Sequence, residues 1–404
     1  MKAALFEGGV QFAETQPAGR GRGAAPGFSR KGTSNRLILD LGGQLGVITK
    51  AEFREKVTFS DQQMKATADI ANYDVTQGTL ALAPAKGSTT PPTIDDGSMK
   101  VDAQEYVSIN MNTHDIRAHD RVHSRMTQAK NATDTRTPAL FDANQPVFAS
   151  ATEMAYVSQS KSARFAGSAT SQAMVYQDDN SFIRGDRVEV QQDTGNLTAT
   201  GSVTSSFVLD MPDDKPAASK PASPRPAAGK PATSAGGKPA PAAASPSKPS
   251  PSRGEADTLE YRDAERTATY IGSADKLATL RTSGLIEGER IVITLADESR
   301  SVQKLDATRS VYVSFDDGRE AVATTLNYDA TADKYTLIGA PGAAVFFKNV
   351  EDKEGKRSCN YDKTTEFLWF VKTQSMIIPP GRSLKPTTSI PCEAKLKAIV
   401  KTDK

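Results

Sequence analysis

The chain has 404 residues, enough for about two or three domains, but it is only 37% hydrophobic and 6% aromatic, so large conventional cores are not expected. Lys and Arg number 50 and Asp and Glu number 48, a balance that predicts neither nucleic acid nor an anionic membrane surface as the partner. No run of 18 apolar residues occurs, which excludes a typical membrane-spanning helix.

Residues 1–36 are predicted to form a partial repeat followed by a Gly/Arg-rich loop. Three apolar residues here recur at the same spacing later on: Phe6, Val10 and Phe12 match Phe53, Val57 and Phe59. The first residues lack the apolar core of a secretory signal. This indicates either a cytoplasmic protein or, as we favour, a chain whose signal peptide or membrane anchor lies upstream.

Two β repeats are predicted next, over residues 37–130 and 131–211. A strand-turn-strand cassette recurs in them 81 residues apart: Val107, Ile109, Thr113, Ile116, Ala118 and Val122 match Val188, Val190, Thr194, Leu197, Ala199 and Val203. Apolar and polar residues alternate within the cassette, which predicts strands with one buried and one wet face. Stacked copies of such a unit predict an all-β fold built from antiparallel strands.

Residues 212–254 are predicted to be a disordered linker rich in Pro, Ala, Ser and Lys. Eleven of the 23 prolines lie between Pro212 and Pro251, and such a composition favours an extended, solvated chain. We interpret it as a spacer, with binding to an acidic surface as the alternative. Because the cost of loop closure grows slowly with length, the blocks on either side can still stack as one sheet.

Residues 255–404 are predicted to be a further β repeat that ends in a C-terminal hairpin. This segment holds Cys359 and Cys392, the only two cysteines of the chain. A disulfide that clasps the last hairpin in an oxidising compartment is the favoured interpretation. The alternative is two buried free thiols, and the lack of a C-x-x-C pattern argues against zinc.

One stretch of the second repeat resembles a known family. Residues 185–190 (GDRVEV), the turn 193–196 (DTGN) and residues 197–203 (LTATGSV) are similar to the signature of the organic-solvent-tolerance (OstA-like) family, which includes the LptA-type periplasmic lipopolysaccharide-transport proteins. Residues 288–293 (GERIVI) resemble it too. In the first copy Asp120 stands where Gly201 stands in the second, a change compatible with a left-handed residue.

The resemblance implies an open β-jellyroll slab in the periplasm whose apolar groove shelters the acyl chains of lipopolysaccharide. It also implies strand edges that join other jellyroll proteins into a bridge between the inner and outer membranes. The predicted groove residues are Val107, Ile109, Ile116, Ala118, Val122, Val188, Val190, Leu197, Ala199, Val203, Ile291, Ile293, Leu305, Ala307 and Val311. The alternative for each is the core of a closed sandwich with no ligand space.

Every second residue from 117 to 125 is Arg or His. The candidates for contact with a lipid headgroup are Arg117, His119, Arg121, His123 and Arg125. With a two-residue period they share one strand face and could pair with phosphate or sugar-acid groups. The alternative is a solvated outer face. His119 and His123 would lie roughly 13 Å apart on a strand, too far for one metal ion.

No enzyme motif supports a catalytic function. The sequence has no G-x-S-x-G elbow, Walker A loop or dinucleotide fingerprint. We therefore predict a carrier that is not an enzyme and needs no metal or cofactor. The expected partners are lipopolysaccharide through its lipid A, other jellyroll proteins and further copies of the chain in a linear oligomer. The alternative is a structural or adhesive β-repeat protein that binds through strand edges and has no lipid groove.

Overall fold

The structure, a computed structural model, describes residues 2–17, 27–42, 47–127, 136–209, 251–282, 284–297, 299–353, 356–370 and 375–402. The central residues of the predicted Gly/Arg-rich loop, 18–26, and nearly all of the predicted linker lie outside these ranges. Within them the chain is almost entirely strand, with one short helix. The predicted all-β class and its antiparallel jellyroll strands are confirmed.

The strands of the N-terminal half are β1 (Lys2–Gln16), β2 (Phe28–Leu41), β3 (Ile48–Ser60), β4 (Lys65–Asp74), β5 (Thr79–Ala83), β6 (Thr93–Asp95), β7 (Met99–Asp102), β8 (Tyr106–Asn110), β9 (Ile116–Met126), β10 (Val147–Val157), β11 (Ser162–Ala166), β12 (Ala173–Asp178), β13 (Ser181–Gly185), β14 (Arg187–Gln191) and β15 (Asn196–Phe207).

The elements of the C-terminal half are β16 (Ser252–Arg262), β17 (Thr267–Ile271), β18 (Ala278–Arg281), β19 (Gly284–Gly288), β20 (Arg290–Leu295), β21 (Val302–Phe315), β22 (Glu320–Asp329), β23 (Lys334–Ile338), β24 (Val345–Lys353), β25 (Lys356–Thr364), β26 (Glu366–Phe370), β27 (Ser375–Ile377), β28 (Ser383–Ile390) and the helix α1 (Leu396–Thr402).

Four similar units stack along the slab, beginning at β3, β9, β15 and β21. Each unit starts with two long antiparallel strands and continues with four short ones. One half of the second long strand pairs with the first short strand and the other half with the second, as β10 does with β11 and β12. The long strands therefore belong to two facing sheets. The first sheet contains β5, β8, β11, β14, β17, β20, β23 and β26, and the second contains β6, β7, β12, β13, β18, β19, β24 and β25.

The first long strand of each unit bends at two consecutive residues with positive φ. These pairs are Glu55–Lys56, Asp120–Arg121, Gly201–Ser202 and Arg309–Ser310. Each coincides with a register shift against the next long strand. Asp120, with φ of 63°, occupies the left-handed position that Gly201 holds with φ of 82°. We call the edge where these bends align the spine, and the opposite edge, where hairpin turns of the two sheets face each other, the mouth.

The two blocks on either side of the predicted linker form one continuous structure. β15 pairs with β16 from Leu197 opposite Tyr261 to Phe207 opposite Ser252. The entropic cost of closing a loop rises only slowly with its length, so a long linker still allows the two blocks to stack in this way. The last residues of the predicted linker, 252–254, already belong to β16.

The last two strands of the chain belong to different sheets. β27 pairs with β26 in the first sheet, whereas β28 pairs with β25 in the second, because the chain splits between the sheets here as it does in every unit. The chain then forms α1, which sequence analysis missed because seven residues are too short to show helical periodicity. Leu396 of α1 is fully buried beside Phe346 and Tyr361 on the outer face of the second sheet.

Replacing Gly201 with alanine should destabilise the fold strongly. A Cβ at Gly201 would lie 2.2 Å from an Asp186 carboxylate oxygen, and φ there is +82°. The matched control is Gly87→Ala, which has the same φ of +82° but nothing within 4 Å of the new Cβ. We expect a loss of about 1–2 kcal/mol for Gly87→Ala from backbone strain alone. Gly201→Ala should lose about 1–3 kcal/mol more from overpacking, and equal urea midpoints would contradict this account of the spine.

Candidate functional site

The interior between the two sheets is apolar along all four units. The fifteen predicted groove residues lie in one buried cluster and are each 0–3% exposed. They face inward because apolar residues alternate with outward polar ones, as in β14, where Val188 and Val190 are buried on either side of Glu189. Whether lipid reaches these side chains remains a prediction.

The two long edges of this interior are held together differently. At the spine the backbone of each long strand runs from one sheet into the other. At the mouth the sheets meet mainly through side chains of facing turns. Near the N-terminal end, His114 Nε2 in a first-sheet turn lies 3.6 Å from Asp61 Oδ2 in a second-sheet turn. At the C-terminal end, Phe315 packs edge-to-face on Trp369 with ring centroids 4.1 Å apart.

A buried polar cluster closes the mouth beside the N-terminal strands. Arg30 of β2 is only 4% exposed and donates hydrogen bonds to the Tyr73 hydroxyl at 2.6 Å and the Met111 carbonyl at 2.8 Å. It also donates to Asn112 Oδ1 at 2.9 Å. Tyr73 in turn donates to Glu14 Oε2 at 2.7 Å. Burial, reinforced by the Glu14 hydrogen bond, raises the pKa of Tyr73 to about 12, so the hydroxyl remains a donor at neutral pH.

One stretch of main chain also crosses the mouth. Residues 136–145, which we call the strap, precede β10 in the chain and lead into its first half, which belongs to the second sheet. The Arg136 amide donates to the Gln192 carbonyl at 2.5 Å, and the Ala139 amide donates to Asp263 Oδ1 at 2.9 Å. Both acceptors lie in hairpin turns of the first sheet. The strap therefore connects the two margins of the mouth.

A small apolar cavity of about 30 Å³, partly open to solvent, lies beside the strap. Its lining includes Val147 and Val175 from the second sheet, Val190 from the first, and Arg136 and Pro138 from the strap. This volume is far below that of a small-ligand pocket, so the closed structure has an apolar opening here and no preformed ligand site. Val190 is the one predicted groove residue that lines it. The alternation of β14 predicts this position, whereas the strap residues carry no signal in the repeat.

The five predicted headgroup residues lie on the outside of the slab. Arg117 and His119 precede the bend in β9 and Arg121, His123 and Arg125 follow or form it, so the row is divided between the two sheets. None of the five lines the cavity beside the strap. Contact with a headgroup remains a prediction.

His119 has close neighbours of its own. Its Nδ1 lies 2.7 Å from Glu105 Oε2 and its Nε2 lies 3.7 Å from Glu153 Oε1. The imidazole also stacks on Tyr106, with centroids 5.8 Å apart and planes 8° apart. These two carboxylates would compete with any anionic ligand for the imidazole.

The cysteines and other candidate centres are placed as follows. The sulfur atoms of Cys359 in β25 and Cys392 after β28 are 2.10 Å apart, at bonding distance, with Cα atoms 5.1 Å apart. In the part of the chain that the structure describes, no three His, Cys, Asp or Glu side chains are grouped to hold a metal ion. None of its helical residues forms a span long and apolar enough to cross a bilayer.

Comparison with known proteins gives one distant structural similarity. No family model matches the chain, and no curated protein matches it. Among solved structures it is similar to LptH, the LptA homologous periplasmic component of the lipopolysaccharide transport device from Pseudomonas aeruginosa. The identity is 15%, the match covers 35% of this chain and 94% of that chain, and the TM-score is 0.25. With a TM-score this low, we infer nothing about this chain from that protein. The strands of this chain themselves define an all-β jellyroll slab with an apolar interior.

Proposed function

We propose that this chain is a lipid-binding protein that carries acyl chains between its two sheets. One observation carries the proposal: the apolar interior is continuous through four units, yet the sheets are joined by continuous long strands only along the spine. A slab of this construction can part at the mouth without breaking its sheets. Parting would give an elongated apolar trough.

The energies of binding and opening are compatible with this function. Burying an acyl chain gains about 0.8 kcal/mol per CH₂, or roughly 10 kcal/mol for a chain of about twelve carbons. A hydrogen bond across the mouth is worth only about 0.5–1.5 kcal/mol net. Because Val107, Val188 and Ile291 are fully buried in this closed structure, the gain must also offset separation of packed side chains. One acyl chain can therefore stabilise local opening, whereas opening without lipid is unfavourable.

The ligand that we propose is lipopolysaccharide, bound through the acyl chains of lipid A, in the periplasm. The support is the resemblance of residues 185–203 to the OstA-like signature. We further propose that strand edges join the slab to other jellyroll proteins, and to further copies of itself, as a bridge between the inner and outer membranes. β1 is a suitable edge, since no described strand pairs with its outer side and Leu5 and Phe6 are 54% and 47% exposed.

The same edge favours one alternative, a structural or adhesive repeat protein with no lipid groove. The tight interior is equally compatible with it. Both functions predict linear oligomers through strand edges, so oligomerisation does not separate them. The two functions differ in whether lipid can reach the interior.

Displacement of a fluorescent dye tests the proposal. A dye that brightens in apolar surroundings should bind the folded protein, and lipopolysaccharide should displace it in proportion to its occupancy. The matched ligand control is deacylated lipopolysaccharide, which keeps the sugars and phosphates but lacks the chains that the groove would bury. We expect at least about a tenfold weaker effect from it, equivalent to about 1.4 kcal/mol. Equal displacement by both, or by neither, would reject the acyl-chain groove.

A further inference from the structure

The strap places two large apolar side chains inside the groove. Leu140 and Phe141 are 2% and 3% exposed, and the Phe141 ring meets Phe207 of β15 edge-to-face at 5.8 Å. The other side chains that close the mouth, such as His114, Phe315 and Arg30, belong to the sheets or their turns. Here an insertion between β9 and β10 brings its own apolar side chains into the space between the sheets.

The two ends of the strap are anchored unequally. At the second sheet, Gln177 of β12 accepts a hydrogen bond from the Asp142 amide at 2.8 Å and donates to the Asp142 and Gln145 carbonyls at 2.7 and 3.2 Å. The connection of the strap to β10 is on this side as well. At the first sheet, the main-chain amides of Arg136 and Ala139 are held by Gln192 and Asp263. Opening at the mouth would therefore leave the strap attached to the second sheet.

We propose that the strap is a displaceable plug, in which Leu140 and Phe141 occupy the part of the groove that a ligand's acyl chain takes when bound. The cavity beside the strap is where the chain would enter, because Val190, Val175 and Pro138 already line an apolar opening there. The ligand class is a lipid with at least one acyl chain. This inference rests on the proposed function, and it adds that access is controlled at one place along the slab.

On the first sheet, the side chain of Asp263 determines where the strap is bound. Its Oδ1 accepts from both the Ala139 amide at 2.9 Å and the Tyr261 hydroxyl at 3.2 Å. Its own amide donates to Asn196 Oδ1 at 3.0 Å. The carboxylate is thus fixed by neighbours in its own sheet before the strap reaches it. Substituting Asp263 would disturb these contacts within the first sheet. The test therefore removes the Ala139 amide, because this breaks the hydrogen bond to Asp263 and leaves the first sheet intact.

The test measures how fast a small apolar dye enters the folded, full-length protein without any lipid. Leu140→Ser weakens the plug, and Ala139→Pro removes the amide donor to Asp263 without changing a buried apolar side chain. The matched control is Leu396→Ser, which removes a leucine that is equally buried but packs on the outer face of the second sheet, outside the groove. We expect dye uptake about tenfold faster or more in both strap variants, a barrier lowered by about 1.4 kcal/mol, and no comparable change in the control.

Unchanged uptake in both folded strap variants, or equal acceleration in Leu396→Ser, would overturn the plug. Because this readout uses no lipid, it is independent of the proposed function. Displacement of dye by lipopolysaccharide in the wild-type protein tests that function separately. Hydrogen exchange gives a second readout: amides of residues 139–142 should lose protection at least about threefold when lipopolysaccharide binds, and constant protection on saturation would also overturn the plug.

Discussion

Replacing Lys348 with methionine is expected to lower the stability of the C-terminal unit by about 3–5 kcal/mol. Lys348 of β24 and Glu320 of β22 form an ion pair at 3.3 Å in which both side chains are only 4% exposed. The ammonium group also donates to the Cys392 and Ala394 carbonyls, both at 2.8 Å. Methionine fills most of the same volume but cannot donate, so a carboxylate and two carbonyls lose their partner together.

The Glu320 carboxylate links this pair to the end of the chain. Its Oε2 accepts hydrogen bonds from the Leu396 amide at 2.9 Å and the Tyr312 hydroxyl at 3.0 Å. Leu396 begins α1, so the carboxylate binds the first amide of the helix. Desolvation and the Glu320 charge raise the pKa of Tyr312 to about 12, which keeps its hydroxyl a donor at neutral pH. Loss of Lys348 should therefore loosen α1 and the segment after Cys392 as well as β24.

Tryptophan fluorescence can measure this change locally, because Trp369 of β26 is the only tryptophan and lies in the same unit. Lys276→Met is the control, since the Lys276–Asp257 pair at 3.4 Å is about half exposed and should contribute at most about 1 kcal/mol. The double variant Lys348→Met with Glu320→Gln should recover part of the loss, because glutamine keeps the acceptor but not the charge. A loss below about 1 kcal/mol for Lys348→Met alone would contradict a stabilising buried pair.

Local alternation predicts the interior of this fold well, because each strand buries every second residue regardless of its partner. Val107, Leu197 and Ala307 lie in different units, and all three are buried as predicted from period alone. The left-handed position shared by Asp120 and Gly201 was also visible from the repeat. The division of each long strand between two sheets was not visible, since the two-residue bend leaves the alternation of buried positions in phase on both sides, as at Ala118 and Val122.

Closure of the mouth depends on contacts between distant parts of the sequence. Ala139 and Asp263 are 124 residues apart, and Arg30 and Asn112 are 82 apart. Neither pair belongs to a repeated cassette, so no internal copy indicates it. The strap lies in an insertion whose apolar residues, Leu140 and Phe141, show no strand alternation. These elements decide whether the interior is a groove or a core, which is why sequence analysis left that choice open.

Site-specific photocrosslinking inside the groove has the largest expected functional contrast. Val190 is 3% exposed and lines the cavity beside the strap, whereas its neighbour Gln191 points to solvent from the same strand. A short aliphatic diazirine side chain at either position keeps overpacking small. The two probes are attached to adjacent residues but lie on opposite faces of the sheet. The variant at position 191 therefore controls for lipid bound to the outside.

The central claim is that acyl chains enter the space between the sheets, and crosslinking to lipopolysaccharide from these two positions tests it directly. With both variants shown to be folded by circular dichroism, we predict crosslinks from position 190 at least about tenfold more often than from position 191, a preference of about 1.4 kcal/mol. Silence at position 190, or equal yields from both positions, would contradict a lipid groove and favour a slab that binds through its strand edges.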